Sequence, residues 1–264
     1  MVCKKLFIIL NITISFIANG QVVLPAYQGL QYNDDAFVCG DSSVYDYDGN
    51  VYETVLIGEQ CWMKENIKAT HYADGTLINQ YITTSEWGYL ANNNTDKGYC
   101  YYNNNAGGEA AIFGALYTWA AATNGVSGTA HPSGVQGICP NAWHIPSNAE
   151  WKAMEMYLGM TETQANATGW RGTNEGGKLK QIGFSLWNSP NTDATNESGF
   201  TALPGSYRTD SGAFATAGSF GNFWMSDESN TTFAWRRTIQ YNNGGIYRAI
   251  FPKSTGLSVR CVRN

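Results

Sequence analysis

The chain of 264 residues has only three histidines, His71, His131 and His144, and none of its six cysteines forms a C-x-x-C pair. Those two scarcities argue against a zinc cage built from closely spaced thiolates and imidazoles. Charge is also sparse, at 14% of residues, which is not the composition of a helical bundle with solvated faces. Sixteen basic residues stand against 21 acidic ones, for a net charge of −5, and no basic cluster occurs. That balance repels phosphate and excludes a nucleic-acid partner. There is no G-x-S-x-G stretch to place a serine on a nucleophile elbow. Beyond the first twenty residues no segment is apolar enough to span a bilayer.

Residues 1–20 read as a secretory signal peptide. Lys4 and Lys5 form the positive start, Leu6–Ile17 is apolar apart from Asn11, Thr13 and Ser15, and Ala18, Asn19 and Gly20 make a small-residue cleavage site. About 12 mostly apolar residues are too few for a membrane span. Removing them takes away two lysines, and the net charge moves from −5 to about −7. The expected location is therefore secreted or cell-surface, with no membrane insertion after cleavage. The remaining cysteines are Cys39, Cys61, Cys100, Cys139 and Cys261. Outside the cytoplasm they read as disulfides, with at least one left unpaired by the odd count.

What is abundant is aromatic and small. Nine Trp, 16 Tyr, 11 Phe and 29 Gly suit a loop-rich domain whose rings supply core area that regular elements do not. After an extended leader over residues 21–38, one domain is expected over residues 39–264. Val44–Asp48 and Val51–Ile57 flank Gly49 and Asn50 as a hairpin. Asp46, Asp48 and Asn50 resemble the start of a calcium loop, but the order is broken and no Glu closes it, so turn chemistry is preferred. Strands are expected at 58–66 and 99–102. Leu116, Trp119, Ala120 and Thr123 fall on one face of an expected helix over 113–123. A second helix is expected over 148–158. Ser147 is its N-cap, Glu150 completes a capping box, Trp151, Met154 and Leu158 form its buried stripe, and Gly159 ends it. Strands follow at 200–203, 223–226, 233–240, 246–251 and 257–262, with Asn242–Gly245 as a hairpin turn. Trp224, Trp235, Phe214 and Phe220 are assigned to the core. A capped helix and a closing strand, each with a nearby cysteine, suggest a disulfide-fastened α+β domain.

Several ordered stretches resemble a known family. They are Val51–Asn66, Gly98–Tyr102, Gly114–Ala120, Gly137–Ser147, Gly199–Gly205, Phe223–Ser226 and Ser258–Cys261, and they are similar to the Fibrobacter succinogenes major paralogous domain. The resemblance covers residues 39–263 and implies an exported protein of a type abundant in Bacteroidetes, without an established activity. A more distant likeness, carried by Leu116–Ala122, Trp143–Trp151 and Leu257–Val262, is to the formylglycine-generating-enzyme branch of the C-type-lectin-like fold. It implies two helices with a small twisted antiparallel sheet, paired terminal strands and long loops on one side. Cys261 of the closing strand is expected to bond Cys139 beside the capped helix, and Cys61 to bond Cys100 as a second pair.

The enzymes of that branch hold copper with two cysteines near the C-terminus. Residues 227–260 contain no cysteine, and a thiolate copper site needs thiolates, so that activity is not expected. His71, His131 and His144 are too scattered to suggest an iron site. Acidic pairs, Asp227 with Glu228 and Asp193 with Glu197, are of a kind found in any acidic chain. The expectation is a recognition module that binds glycan or extracellular protein, without a catalytic residue or a resident cofactor. A structural surface component and an enzyme with an unrecognised site are the alternatives. Its expected site is in the loop 169–208, where Trp187 offers a stacking face, Asn191, Asp193 and Asn196 offer directional polar groups, and Arg208 offers a fork. Calcium is the one ion for which that loop, with Glu197, supplies oxygen donors.

Overall fold

Ser147 caps the longest helix among the described residues, as its sequence dictates. Its hydroxyl accepts from the Glu150 N–H, and the Glu150 carboxylate accepts in return from the Ser147 N–H. The computed structural model describes residues 37–92 and 94–264. The expected signal peptide and residues 21–36 of the expected leader lie outside the described residues. Val38–Asn264 cluster as one compact unit.

In chain order the strands are β1 (Val44–Tyr45), β2 (Val51–Tyr52), β3 (Thr54–Ile57), β4 (Gln60–Met63), β5 (Asn79–Gln80), β6 (Gly98–Cys100), β7 (Leu116–Tyr117), β8 (Trp143–His144), β9 (Gly169–Arg171), β10 (Phe220–Glu228), β11 (Phe233–Gln240), β12 (Ile246–Pro252) and β13 (Val262–Arg263). The helices are α1 (Thr84–Tyr89), α2 (Glu109–Phe113), α3 (Trp119–Thr123), α4 (Asn148–Tyr157), α5 (Glu162–Asn166) and α6 (Glu175–Leu179). Four sheets result: β1-β2, β3-β4-β13-β8, β5-β6-β7 and β10-β11-β12-β9.

The mixed α+β character holds, but the C-type-lectin-like architecture does not. Among the described residues, six helices and four sheets of up to four strands replace the expected two helices and one small sheet. Five of the helices are only five or six residues long, too short to show an apolar period. Two of those five carry a full capping box, completed at Thr83 and Thr161. The helix expected over 113–123 is split for a related reason. Gly114 has φ +76°, which breaks the backbone after α2. Leu116 and Tyr117 then form β7, and Thr118 caps α3 anew. The strand expected at 200–203 is a single bridge from Ala202 to Lys180, and that at 257–262 reduces to isolated bridges before β13.

The main core lies between α4 and the inner face of β10-β11-β12-β9. Trp62, Trp151, Met154, Phe200, Phe223, Met225, Ile239 and Ile246 are all buried there. Trp62, Trp151, Phe200 and Phe223 meet ring to ring at 5.3–5.8 Å, the geometry in which quadrupoles attract. Gly176 brings α6 against the β11–β12 turn, since a Cβ there would lie 2.1 Å from the Gly245 carbonyl oxygen. Cys139 bonds Cys261, tying the segment before α4 to the C-terminal strand. The second expected pair is corrected: Cys61 bonds Cys39, and Cys100 is a buried free thiol. Cys100 lies on β6 beneath Trp87 and Leu90, in a separate apolar cluster.

Candidate functional site

The loop residues singled out in the sequence are engaged in holding the fold. Trp187 is 1% exposed, and its indole N–H donates to the Ala202 carbonyl at 3.0 Å. The Asn191 amide donates to the carbonyls of Gln181 and Gly183. Asn196 exchanges hydrogen bonds with Thr201. Asp193 is exposed, with φ +58°. Arg208 is 0% exposed and lies between the rings of Trp87 and Phe214, 4.7 Å from each. Its guanidinium donates to the carbonyls of Gly212, Tyr81 and Ile82. Trp187 and Arg208 thus offer no open surface.

Other polar candidates are similarly occupied. The Asp46 carboxylate accepts from the Asn50 backbone and amide and from the Tyr52 hydroxyl, as turn chemistry requires. His144, 1% exposed, has Glu150 on one ring nitrogen and Asn264 on the other. Among the described residues no group of three or more His, Cys, Asp or Glu is arranged to hold a metal ion. No described helix is long and apolar enough to cross a membrane.

The period of two along β11 and β12 divides the large sheet into two chemically distinct faces. Inward go Arg237, Ile239, Ile246 and Arg248, with Arg171 from β9. Arg171 and Arg237 grip the buried Glu155 of α4, at 2.8 Å for both Arg171 contacts and 2.5 Å for Arg237 Nε. Burial alone would raise the Glu155 pKa, but the arginines outweigh it and hold the carboxyl below its ordinary value. Arg237 and Arg248 both donate to the Asn148 side chain. Beside this cluster is a cleft of about 370 Å³ lined by Asn148, Lys152, Glu162, Asn166 and Asp227 among others. Burial lowers the Lys152 amine, helped by the nearby arginines, and raises the Asp227 carboxyl.

The outer face carries aromatic rings that are not buried away. Tyr247 of β12 stands opposite Trp170 of β9 and Thr238 of β11, and Thr238 stands opposite Asn222 of β10. Four strands at roughly 4.8 Å spacing make a face about 14 Å across. Trp170 is 42% exposed, and its ring centroid is 5.2 Å from that of Tyr247. Arg236 lies next to them, its guanidinium carbon 5.7 Å from the Tyr247 ring and 4.1 Å from that of Phe251. Tyr207 completes the strip, meeting Phe251 at 5.7 Å and Phe220 at 6.3 Å, both edge-on. Tyr207, Phe220, Arg236, Tyr247 and Phe251 are all partly exposed. Towards β10 the face is closed. Trp224 is buried with its N–H on the Tyr117 carbonyl, and Ser206 and Ser258 bridge to Gly221 and Phe223.

Arg236 is held from below. Its Nη1 donates to Asn222 Oδ1 and Thr238 Oγ1, both beneath it. Burial pushes its pKa down to about 10, and it forms an ion pair with no carboxylate among the described residues. The sequence reading assigned Phe220 to the core and passed over Trp170, Tyr207, Arg236, Tyr247 and Phe251. A cue existed: in Ile246–Phe251 the aromatic Tyr247 and Phe251 alternate with the core-facing Ile246 and Arg248. Chemically, the strip combines flat apolar faces, phenol hydroxyls and one cation, a set suited to stacking and polar contact on one ligand. A family model, the Fibrobacter succinogenes major domain, matches residues 55–263. No curated protein and no solved structure matches the chain.

Proposed function

The chain belongs to the Fibrobacter succinogenes major domain family, and on that premise we propose that it is an exported, non-catalytic recognition module that binds glycan through the outer face of β9, β12 and β11. The observation that carries this reading is the strip Trp170, Tyr247, Phe251, Tyr207 and Phe220, whose rings stay partly exposed. The tryptophans Trp62, Trp87, Trp151, Trp187 and Trp224 are buried, and Tyr89, Tyr157 and Phe184 are exposed elsewhere without a ring contact to one another. A sugar ring presents an apolar face for stacking and equatorial hydroxyls for hydrogen bonds, and this strip provides partners for both. The three open strands span about 10 Å at the usual strand spacing, room for a short oligosaccharide rather than a single sugar.

Export fits the same reading. Residues 1–20 have the pattern of a cleaved signal peptide, and the disulfides Cys39–Cys61 and Cys139–Cys261 suit an oxidising compartment. N-terminal sequencing of secreted protein should begin at or near Gln21. A glycan array probed with the full chain tests the binding function. Dose-dependent binding to a defined oligosaccharide class supports it. Absence of binding, with self-association into large assemblies, would favour a structural component of an extracellular layer.

A further inference from the structure

We infer that the glycan taken by this face is anionic, its carboxylate or sulfate group received by the guanidinium of Arg236; the inference rests on the glycan-binding reading above. Arg236 differs from the buried arginines in using a single nitrogen; the Arg171 Nε also lacks a partner, but both of its terminal nitrogens are held by Glu155. Arg171 and Arg237 share Glu155. Arg208 is satisfied by three carbonyls, and Arg260 by Asn66 and the carbonyls of Met63 and Phe200. Arg248 is satisfied by Asn148 and the carbonyls of Asn166 and Ala167. Arg236 uses only Nη1. Its Nε is buried with no partner, and its Nη2 has no hydrogen-bond partner among the described residues.

Nε and Nη2 form one edge of the guanidinium plane. Two parallel N–H groups on such an edge are the fork that takes a carboxylate or sulfate by two charge-assisted hydrogen bonds. A buried donor without an acceptor is costly, as is a cation without a counter-charge. The groups that act electrostatically on Arg236 are the phenols of Tyr207 and Tyr247, neither of them a carboxylate. An oxyanion at this edge supplies both the acceptor and the charge. Nε is shielded from water, so the anion reaches it once a flanking ring turns. Tyr207 and Tyr247 are both partly exposed, and side-chain rotation of this kind is common on binding. The stacking rings lie on both sides of the cation, with Trp170 and Tyr247 on one and Phe251 and Tyr207 on the other. That arrangement fits a sugar chain in which the charged residue is flanked by others that stack. The protein's own net charge of −5 opposes unspecific binding of polyanions, so affinity for an acidic glycan has to come from a local site.

Affinity measurements on the full chain test this with matched polymers. Polygalacturonate is compared with its fully methyl-esterified form, which removes the carboxylate charge and keeps the backbone. A sulfated galactan is compared with the unsulfated galactan, and polyglutamate serves as an anion without sugar. The expected result is binding at least about tenfold tighter to one charged glycan than to its neutral counterpart, with polyglutamate bound no better than the neutral polymers. The two pairs tell carboxylate from sulfate. Arg236→Gln should abolish that preference, so that charged and neutral glycans bind alike, and Arg236→Lys should restore only part of it. Thermal melts of both variants confirm folding; if Arg236→Gln does not fold, the Arg236→Lys deficit decides. Equal or tighter binding of the neutral glycans overturns the anion inference and leaves the glycan reading standing. So does a preference for the charged polymer that persists in the Arg236 variants. Polyglutamate binding as tight as the best glycan overturns the inference, and no glycan binding at all overturns both.

Discussion

Arg236 and Arg237 are neighbours in the chain and point to opposite faces of β11. Arg237 Nε lies 2.5 Å from Glu155 Oε1 in the core, whereas Arg236 stacks at 4.1 Å on Phe251 and pairs with no carboxylate among the described residues. One strand thus carries a neutralised cation on its structural face and an uncompensated one on its open face. The strand's period of two separates the two roles.

The first prediction concerns the inner arginine. Glu155 counterbalances both Arg171 and Arg237 and is 0% exposed. Glu155→Leu strands two buried cations and should cost about 3–5 kcal/mol, read from urea unfolding. The same carboxyl sets a pH dependence. Its folded pKa is held below the ordinary value, after Arg237 and Arg171 outweigh burial. Its stabilisation is therefore fully present above the unfolded pKa of about 4.3 and is lost as pH falls through the lower folded value. The stability gap between wild type and Glu155→Gln should stay constant from pH 7 to about 5 and shrink in more acidic solution. A gap that widens towards low pH would contradict this.

Two disulfides of different span should differ in weight. Cys139 and Cys261 are 122 residues apart, and Cys39 and Cys61 are 22 apart. On the chain-entropy view, replacing the first pair by serine should cost about 5 kcal/mol and the second about 3 kcal/mol. Denaturant midpoints of the two double variants check the order. A larger loss from the shorter loop would show that native packing around Cys39, not the unfolded chain, dominates.

The unpaired thiol should be inert. Cys100 is 0% exposed, and burial pushes its pKa up to about 12. Thiolate is the reactive species, so iodoacetamide at pH 8 should leave native protein unmodified at Cys100 and label it fully in denaturant. Mass spectrometry showing rapid labelling of the native state would place that thiol in contact with solvent.

How much of this could be seen in the sequence depended on whether the determinant was local. α4 was legible because Ser147 and Glu150 cap one another across three residues. The hairpin of β11 and β12 was legible because alternation and an Asn-Gly turn are short-range signals. The Cys139–Cys261 pairing was legible from a cysteine in the closing strand and another beside the capped helix, and the structure bears it out. Cys39 was missed as the partner of Cys61, because only the folded β1–β4 region brings the two to a Cα separation of 5.8 Å. The five-residue helices α2, α3, α5 and α6 offered no apolar period to read. The expected site failed on a compositional habit. Arg and Trp in a polar loop read as surface groups, yet Arg208 and Trp187 are core pieces whose polar atoms are satisfied by backbone carbonyls. The outer face stayed hidden because Trp170, Arg236 and Tyr247 come from three strands that only the sheet register unites, and Tyr207 joins them from a distant loop by ring contact.

The most direct test of the account is the affinity of the full chain for its best glycan-array ligand, compared with that of Trp170→Ala and Tyr247→Ala. Trp170 is 42% exposed and Tyr247 partly exposed on the open face, so both variants should keep the wild-type melting temperature to within a few degrees. Removing a stacked ring should weaken binding by roughly tenfold or more in each. Undiminished affinity in both variants, with the ligand still bound, would place recognition elsewhere on the protein and contradict the central claim.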